Sequence, residues 1–217
     1  MTTPYLYDER NGVLSDETGR LFDPWTWTWQ DAQAATKNSL SPATAADALA
    51  RLAQVGALRP LPVGVIGPRE ATDLQQRAAF AVGAALARLG LTTVCGGKTG
   101  VMAAAAAGAR QAGGLTIGLL PDSEWHAANP DILVPIATGL REARNVVIAR
   151  SSTALIAVGG STGTMTEIAF GLHFGRLVVA LHDTATLPGV VRAEDAEAAV
   201  ELVAQHLLSG SAHSGGH

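Results

Sequence analysis

The sequence predicts an α/β fold: a Rossmann-like, doubly wound parallel sheet with helices on both faces, preceded by an N-terminal extension of hairpins and a short helix. Three observations carry that expectation. From Leu61 onward, apolar runs of strand length alternate with stretches of helical periodicity, an order that implies right-handed crossovers and parallel strands. The runs are continuously apolar, as suits strands covered on both faces. Their carboxyl ends carry Gly67, Gly96-Gly97, Pro121 and Gly159-Gly160, and ligands bind beyond those ends in such sheets.

The elements follow in chain order. Residues 1–60 make the extension, 61–208 the Rossmann-like unit, and 209–217, rich in Gly, Ser and His, a disordered tail. In the extension, Asn11-Gly12 marks a tight turn between short strands. Trp25, Trp27 and Trp29 alternate, so on a strand they share one face. They form either a flap packed on the protein or on a second subunit, or an aromatic lid over a ligand. Residues 44–55 form a short helix with Leu49, Leu52 and Val55 inward. Strands are expected at 63–67, 92–95, 115–121, 131–136, 155–158 and 176–181. Helices are expected at 72–89, with Leu74 to Leu89 along one side, at 102–112, built from small residues, and at 142–151, 164–174 and 193–208.

Composition narrows the function. The chain has 217 residues, 47% hydrophobic and 16% charged, with a net charge of −4. It is long enough for a full core, and it offers no basic surface for nucleic acid. No apolar run approaches the ~18 residues of a spanning helix, so no membrane partner is expected. The lone cysteine, Cys95, excludes a disulfide framework, and with no apolar signal segment the expected location is cytoplasmic. His126, His173 and His182 lack metal-ligand spacing with Cys95 or with a carboxylate cluster, so no metal site is expected. His213 and His217 lie in the tail.

The chemistry concentrates at Gly159-Gly160-Ser161-Thr162-Gly163-Thr164-Met165-Thr166-Glu167, a glycine loop between an apolar strand and a helix. Free amides at a helix start attract anions. Thr164 and Glu167 fit a capping box, and Glu167 would also stand beside the sugar of a bound phosphate, where it could stabilise positive charge or activate water. The same loop matches G-x-S-x-G, with Asp183 and His206 following in hydrolase order. His206 falls inside a helix, however, and Pro68 lacks an amide for an oxyanion hole. Gly97-Lys98-Thr99 invites a P-loop reading, but Thr92 stands where that motif needs glycine. It remains a second strand-to-helix turn suited to an anion or a sugar.

These motifs resemble the Lonely Guy superfamily, also described as lysine-decarboxylase-like, whose hallmark is P-G-G-x-G-T-x-x-E. The upstream arginine of that family falls on Arg144, and its G-G-G-x-x-G-L-M is similar to Gly96-Gly97-Lys98-Thr99-Gly100-Val101-Met102. The resemblance implies a homodimer or higher homo-oligomer binding a nucleoside 5′-monophosphate. It implies that Gly160, Ser161, Thr162, Gly163 and Thr164 hold phosphate, with Gly67, Gly96, Gly97, Lys98, Thr99, Gly100, Met102 and Gly159 around the nucleotide. Arg144 and Glu167 would then cleave the N-glycosidic bond, without any cofactor, to a free base and ribose 5-phosphate. Gly159 and Ser161 depart from the hallmark's Pro and second Gly, and Asn145 and Thr166 stand where classical members carry a lysine after the arginine and a carboxylate before the final Glu, two further departures from the hallmark's charged groups. They resemble a divergent branch that includes molybdenum-cofactor carriers, which bind a phosphorylated pterin without cleaving it.

Overall fold

The computed structural model describes residues 5–31, 40–184 and 187–210. The tail beyond Gly210, with His213 and His217, lies outside the described residues.

The α/β expectation holds. Seven parallel strands are β6 (Pro62–Ile66), β7 (Thr92–Cys95), β8 (Thr116–Leu120), β9 (Val134–Ala137), β10 (Ala154–Val158), β11 (Leu177–Leu181) and β12 (Val191–Arg192), in the spatial order β12-β11-β10-β6-β7-β8-β9. Along β10, Ile156 and Val158 face one apolar core while Leu155 and Ala157 face another. That double burial explains its unbroken apolar run. The first core is covered by α1 (Ala45–Gln54), α2 (Asp73–Arg88), α3 (Val101–Gln111) and α6 (Ala196–Leu208). The second is covered by α4 (Arg144–Ser151) and α5 (Thr162–His173). Strand order reverses between β6 and β10, so the connections leaving those neighbours diverge and open a crevice at their carboxyl ends.

Helix boundaries follow local chemistry. Thr44 caps α1, and Thr72 with Gln75 closes a capping box on α2. Leu49 and Leu52 are buried as expected, but Val55 and Leu74 are exposed, each lying at or beside a helix end where the apolar stripe runs past the sheet. The fourth parallel strand begins at Val134, later than residue 131, and β12 is too short and polar to carry a strand pattern.

The extension folds as a five-stranded antiparallel sheet in the order β4-β3-β2-β1-β5: β1 (Tyr5–Asp8), β2 (Val13–Ser15), β3 (Leu21–Asp23), β4 (Thr28–Gln30) and β5 (Leu40–Ala43). The three tryptophans do not share a strand face. The Asp23 carboxylate accepts hydrogen bonds from the amides of Trp25 (2.9 Å) and Thr26 (3.2 Å), and Trp27 takes a left-handed φ of 58°. An Asp-Pro turn therefore replaces the expected strand. Trp27 is buried and donates its indole N–H to Arg59 O (3.0 Å), Trp29 donates to Leu208 O (2.7 Å), and Trp25 remains exposed. Of the two readings of this strip, packing on the protein's own body is the one realised.

Candidate functional site

A cleft of about 540 Å³ opens at the carboxyl ends of β6 and β10. Its floor is built by two helix starts. The connections of a parallel sheet run antiparallel to the strands, so each helix begins at the rim where ligands bind. That rule brings Arg144, the first residue of α4, to the same place as the start of α5. The helix expected over 142–151 divides here. Residues Arg141–Ala143 form a 3₁₀ turn, and the α-helix begins at Arg144.

At the floor, Arg144 Nη1 donates to Glu167 Oε1 at 3.0 Å, and both side chains are over nine-tenths buried. Burial pushes the Glu167 carboxyl up to about 7, against the opposing pull of the Arg144 charge. Arg144 Nε is buried with no hydrogen-bond partner among the described residues. The guanidinium lies flat on Gly96: a Cβ there would fall 2.7 Å from Cζ. Gly96 is thus the residue that leaves room for the arginine.

The capping box expected at Thr164 and Glu167 is corrected. Ser161 is the N-cap, and its Oγ accepts from the Thr164 amide (3.2 Å) and shares a 2.9 Å hydrogen bond with Thr164 Oγ1. The helix starts one turn nearer the strand because Ser161 can cap it. Thr162 and Gly163 then stand at N1 and N2, positions whose amides have no intrahelical partner. Glu167 lies beyond the first turn and pairs with Arg144 instead.

Of the residues singled out in the sequence, Gly67, Gly96, Met102, Arg144, Gly160, Ser161, Gly163, Thr164 and Glu167 line this one cleft. Gly97, Lys98, Thr99, Gly100, Gly159 and Thr162 are not part of its lining. Lys98 is ion-paired to Asp122 at 2.6 Å and donates to Ala127 O, and this contact holds the Asp122 carboxyl below the ordinary range. Thr99 donates to Arg69 O, Gly100 caps α3, and Gly159 has φ 67° against the Gln75 side chain. Among the described residues no histidine lines the cleft, so the Ser-Asp-His arrangement of the hydrolase reading is not assembled at Ser161. The sequence reading did not single out Arg69, Glu70, Arg141, Glu142 or Asn145 as site residues, yet they line the cleft too. Each lies within three residues of one that was singled out. Extending every strand-end glycine into its following loop would have found Arg69 and Glu70.

Asn145 and Thr166, two departures from the hallmark, are bonded to each other, Nδ2 to Oγ1 at 2.9 Å. Thr166 also donates to Gly163 O (2.7 Å). They form a neutral tie between α4 and α5. Among the described residues, no group of three or more His, Cys, Asp or Glu could hold a metal ion.

A seven-stranded parallel sheet with a helix start and a buried Arg–Glu pair lining the cleft at its strand-order reversal defines a Rossmann-like protein of the Lonely Guy type. The chain belongs to the SLOG cluster4 family, whose model matches residues 60–207. An uncharacterized protein of Archaeoglobus fulgidus is 41% identical over 138 residues, 64% of this chain and 91% of that protein. Among solved structures, the molybdenum cofactor binding protein of Rippkaea orientalis aligns at 34% identity and a TM-score of 0.64, over 67% of this chain and 96% of that one. The molybdenum cofactor carrier protein of Chlamydomonas reinhardtii aligns at 34% identity and a TM-score of 0.62, over 70% of this chain and 99% of that one.

Proposed function

We propose that the cleft binds a phosphorylated pterin of the molybdenum-cofactor class as cargo, holding its phosphate on the first turn of α5 beside Arg144. The observation that carries this reading is the Arg144 guanidinium, buried next to open helix-start amides with its Nε unpartnered. A buried donor of that kind favours an anion. The similarity to molybdenum cofactor carriers over nearly their whole length supports the choice of cargo.

A second reading is a phosphoribohydrolase cleaving a nucleoside 5′-monophosphate. The Arg144–Glu167 pair favours it, since both side chains of the expected machinery are present and in contact. The neutral Asn145–Thr166 tie favours the carrier, because it stands where the hallmark has charged groups.

Glu167 separates the two. A bound phosphate is held best while this carboxyl is neutral, whereas bond cleavage through an anomeric cation needs it ionised. For a carrier, affinity for the molybdenum cofactor falls as pH rises through about 7, and no free base is released from any nucleoside monophosphate. For a hydrolase, release of base climbs through the same pH and vanishes in Glu167→Gln. Measuring both quantities for wild type and Glu167→Gln at each pH cancels the titration of the phosphate itself. Base release dependent on Glu167 would overturn the carrier reading.

A further inference from the structure

The floor of the cleft accounts for a phosphate but leaves its lip unexplained. Arg69 and Glu70 stand on the loop after β6, and Arg141 and Glu142 on the turn before α4. All four are exposed and line the cleft. Neither Arg141 nor Glu142 makes a side-chain hydrogen bond or ion pair with another described residue. The lip carries as many negative as positive groups, so it adds no net attraction for a second anion. What it offers is a donor fork beside an acceptor.

The backbone brings these two together. Consecutive residues of a regular 3₁₀ turn project about 120° apart, yet Arg141 and Glu142 both line the cleft. Arg141 has a left-handed φ of 50°, a conformation that L residues with a side chain rarely adopt. The turn is held in place by Arg141 N to Pro121 O (3.0 Å) and Gly139 N to Asp122 O (2.9 Å). The strained residue and its neighbour therefore sit on a turn pinned to the end of β8.

We propose that Arg141 and Glu142 read the 2-amino-4-oxo pyrimidine edge shared by pterins and guanine. That edge presents a ring N–H and an exocyclic amino group side by side, which one carboxylate accepts in a bidentate fashion. Its carbonyl oxygen accepts from a guanidinium. Adenine lacks this pattern, and hypoxanthine lacks the amino group. The proposal rests on the phosphate-binding reading above and names the ring that goes with the phosphate.

The test is the full chain titrated with GMP, IMP and AMP, which share one phosphate and differ in this edge. GMP binds tighter than IMP and AMP by about tenfold or more, as expected for hydrogen bonds to a charged group. Glu142→Gln brings GMP to the level of AMP, whereas Glu70→Gln keeps the preference. Equal binding of the three nucleotides would overturn the proposal, as would a preference lost in Glu70→Gln instead. Guanosine and adenosine separate the two readings. If GMP and guanosine bind alike while guanine is still preferred, the phosphate reading fails and the edge reading stands. If each nucleotide binds far tighter than its nucleoside without base preference, the reverse holds.

Discussion

Gly96 shows how one residue can set the site through the space it leaves. Its missing side chain makes room for the Arg144 guanidinium, which is the flexible end of a long side chain. Gly96→Ala therefore displaces the arginine more readily than it disturbs the strand. The variant folds with a melting temperature within a few degrees of wild type and loses most of its affinity for a phosphate monoester. Calorimetric melting and titration check the two halves of that statement. Glu167 has a consequence for stability as well. Its carboxyl is raised in the folded chain, so between about 4.5 and about 7 the folded state keeps a proton that the unfolded state releases. The folded state loses stability as pH rises across that window, and Glu167→Gln flattens this part of a pH-dependent denaturation series. The identities of Gly96, Arg144 and Glu167 were legible in the sequence. The bond between the last two was not, because the capping-box spacing offered a local partner for Glu167 that Ser161 in fact supplants.

At the scale of elements, α2 and α3 pack backbone against backbone. A Cβ on Gly83 would collide with Ala105 O, and one on Gly108 with Phe80 O. The run of alanines from Ala103 to Ala107 read as a helix able to pack closely, and this reciprocal pair of glycines is what makes the approach so close. Gly83→Ala forces the helices apart and costs about 1–3 kcal/mol despite the better helix propensity of alanine. Urea denaturation measures it, and a neutral or stabilising effect would refute the close-packing account. The short α4 illustrates a different point. Its periodicity was visible, but its division into a 3₁₀ turn and an α-helix was not, since both share three- to four-residue spacing. That division matters because it sets Arg141 on the lip and Arg144 on the floor.

Across the whole molecule, the extension is tied to the Rossmann-like unit by side chains remote in sequence. Trp29 donates to Leu208 O, and Glu201 on α6 accepts from the first amides of α1, Ala45 N (3.2 Å) and Ala46 N (2.9 Å). The matched family region begins at residue 60, so these contacts lie between the family fold and an addition to it. The tryptophans test that arrangement. Trp27→Ala removes a buried ring and costs about 3–5 kcal/mol, lowering the melting temperature by about 10 °C. Trp25→Ala, on an exposed side chain, changes stability by no more than about 0.5 kcal/mol. Equal effects would restore the shared-face arrangement that the Asp23 turn replaces.

The sequence alone determined the α/β class, the parallel sheet and half of the residues that meet at the cleft. Those features rest on continuous apolar runs, helical periodicity and glycines at strand ends, all of them local in the chain. Tertiary structure decided how much of each glycine loop joins the cleft lining: Gly96 but not Gly97 to Gly100 of one, and Gly160, Ser161, Gly163 and Thr164 of the other. Lys98 had no visible partner in sequence, yet Asp122 from the next strand's loop takes it. It decided that Asn145 and Thr166 compensate each other, and it brought Arg141 and Glu142 from the turn before α4 to the same lip as Arg69 and Glu70 from the loop after β6. The reason is the same in each case: the interaction depends on where the strand order reverses and on a partner from another crossover, and neither is written in the spacing of residues along one segment.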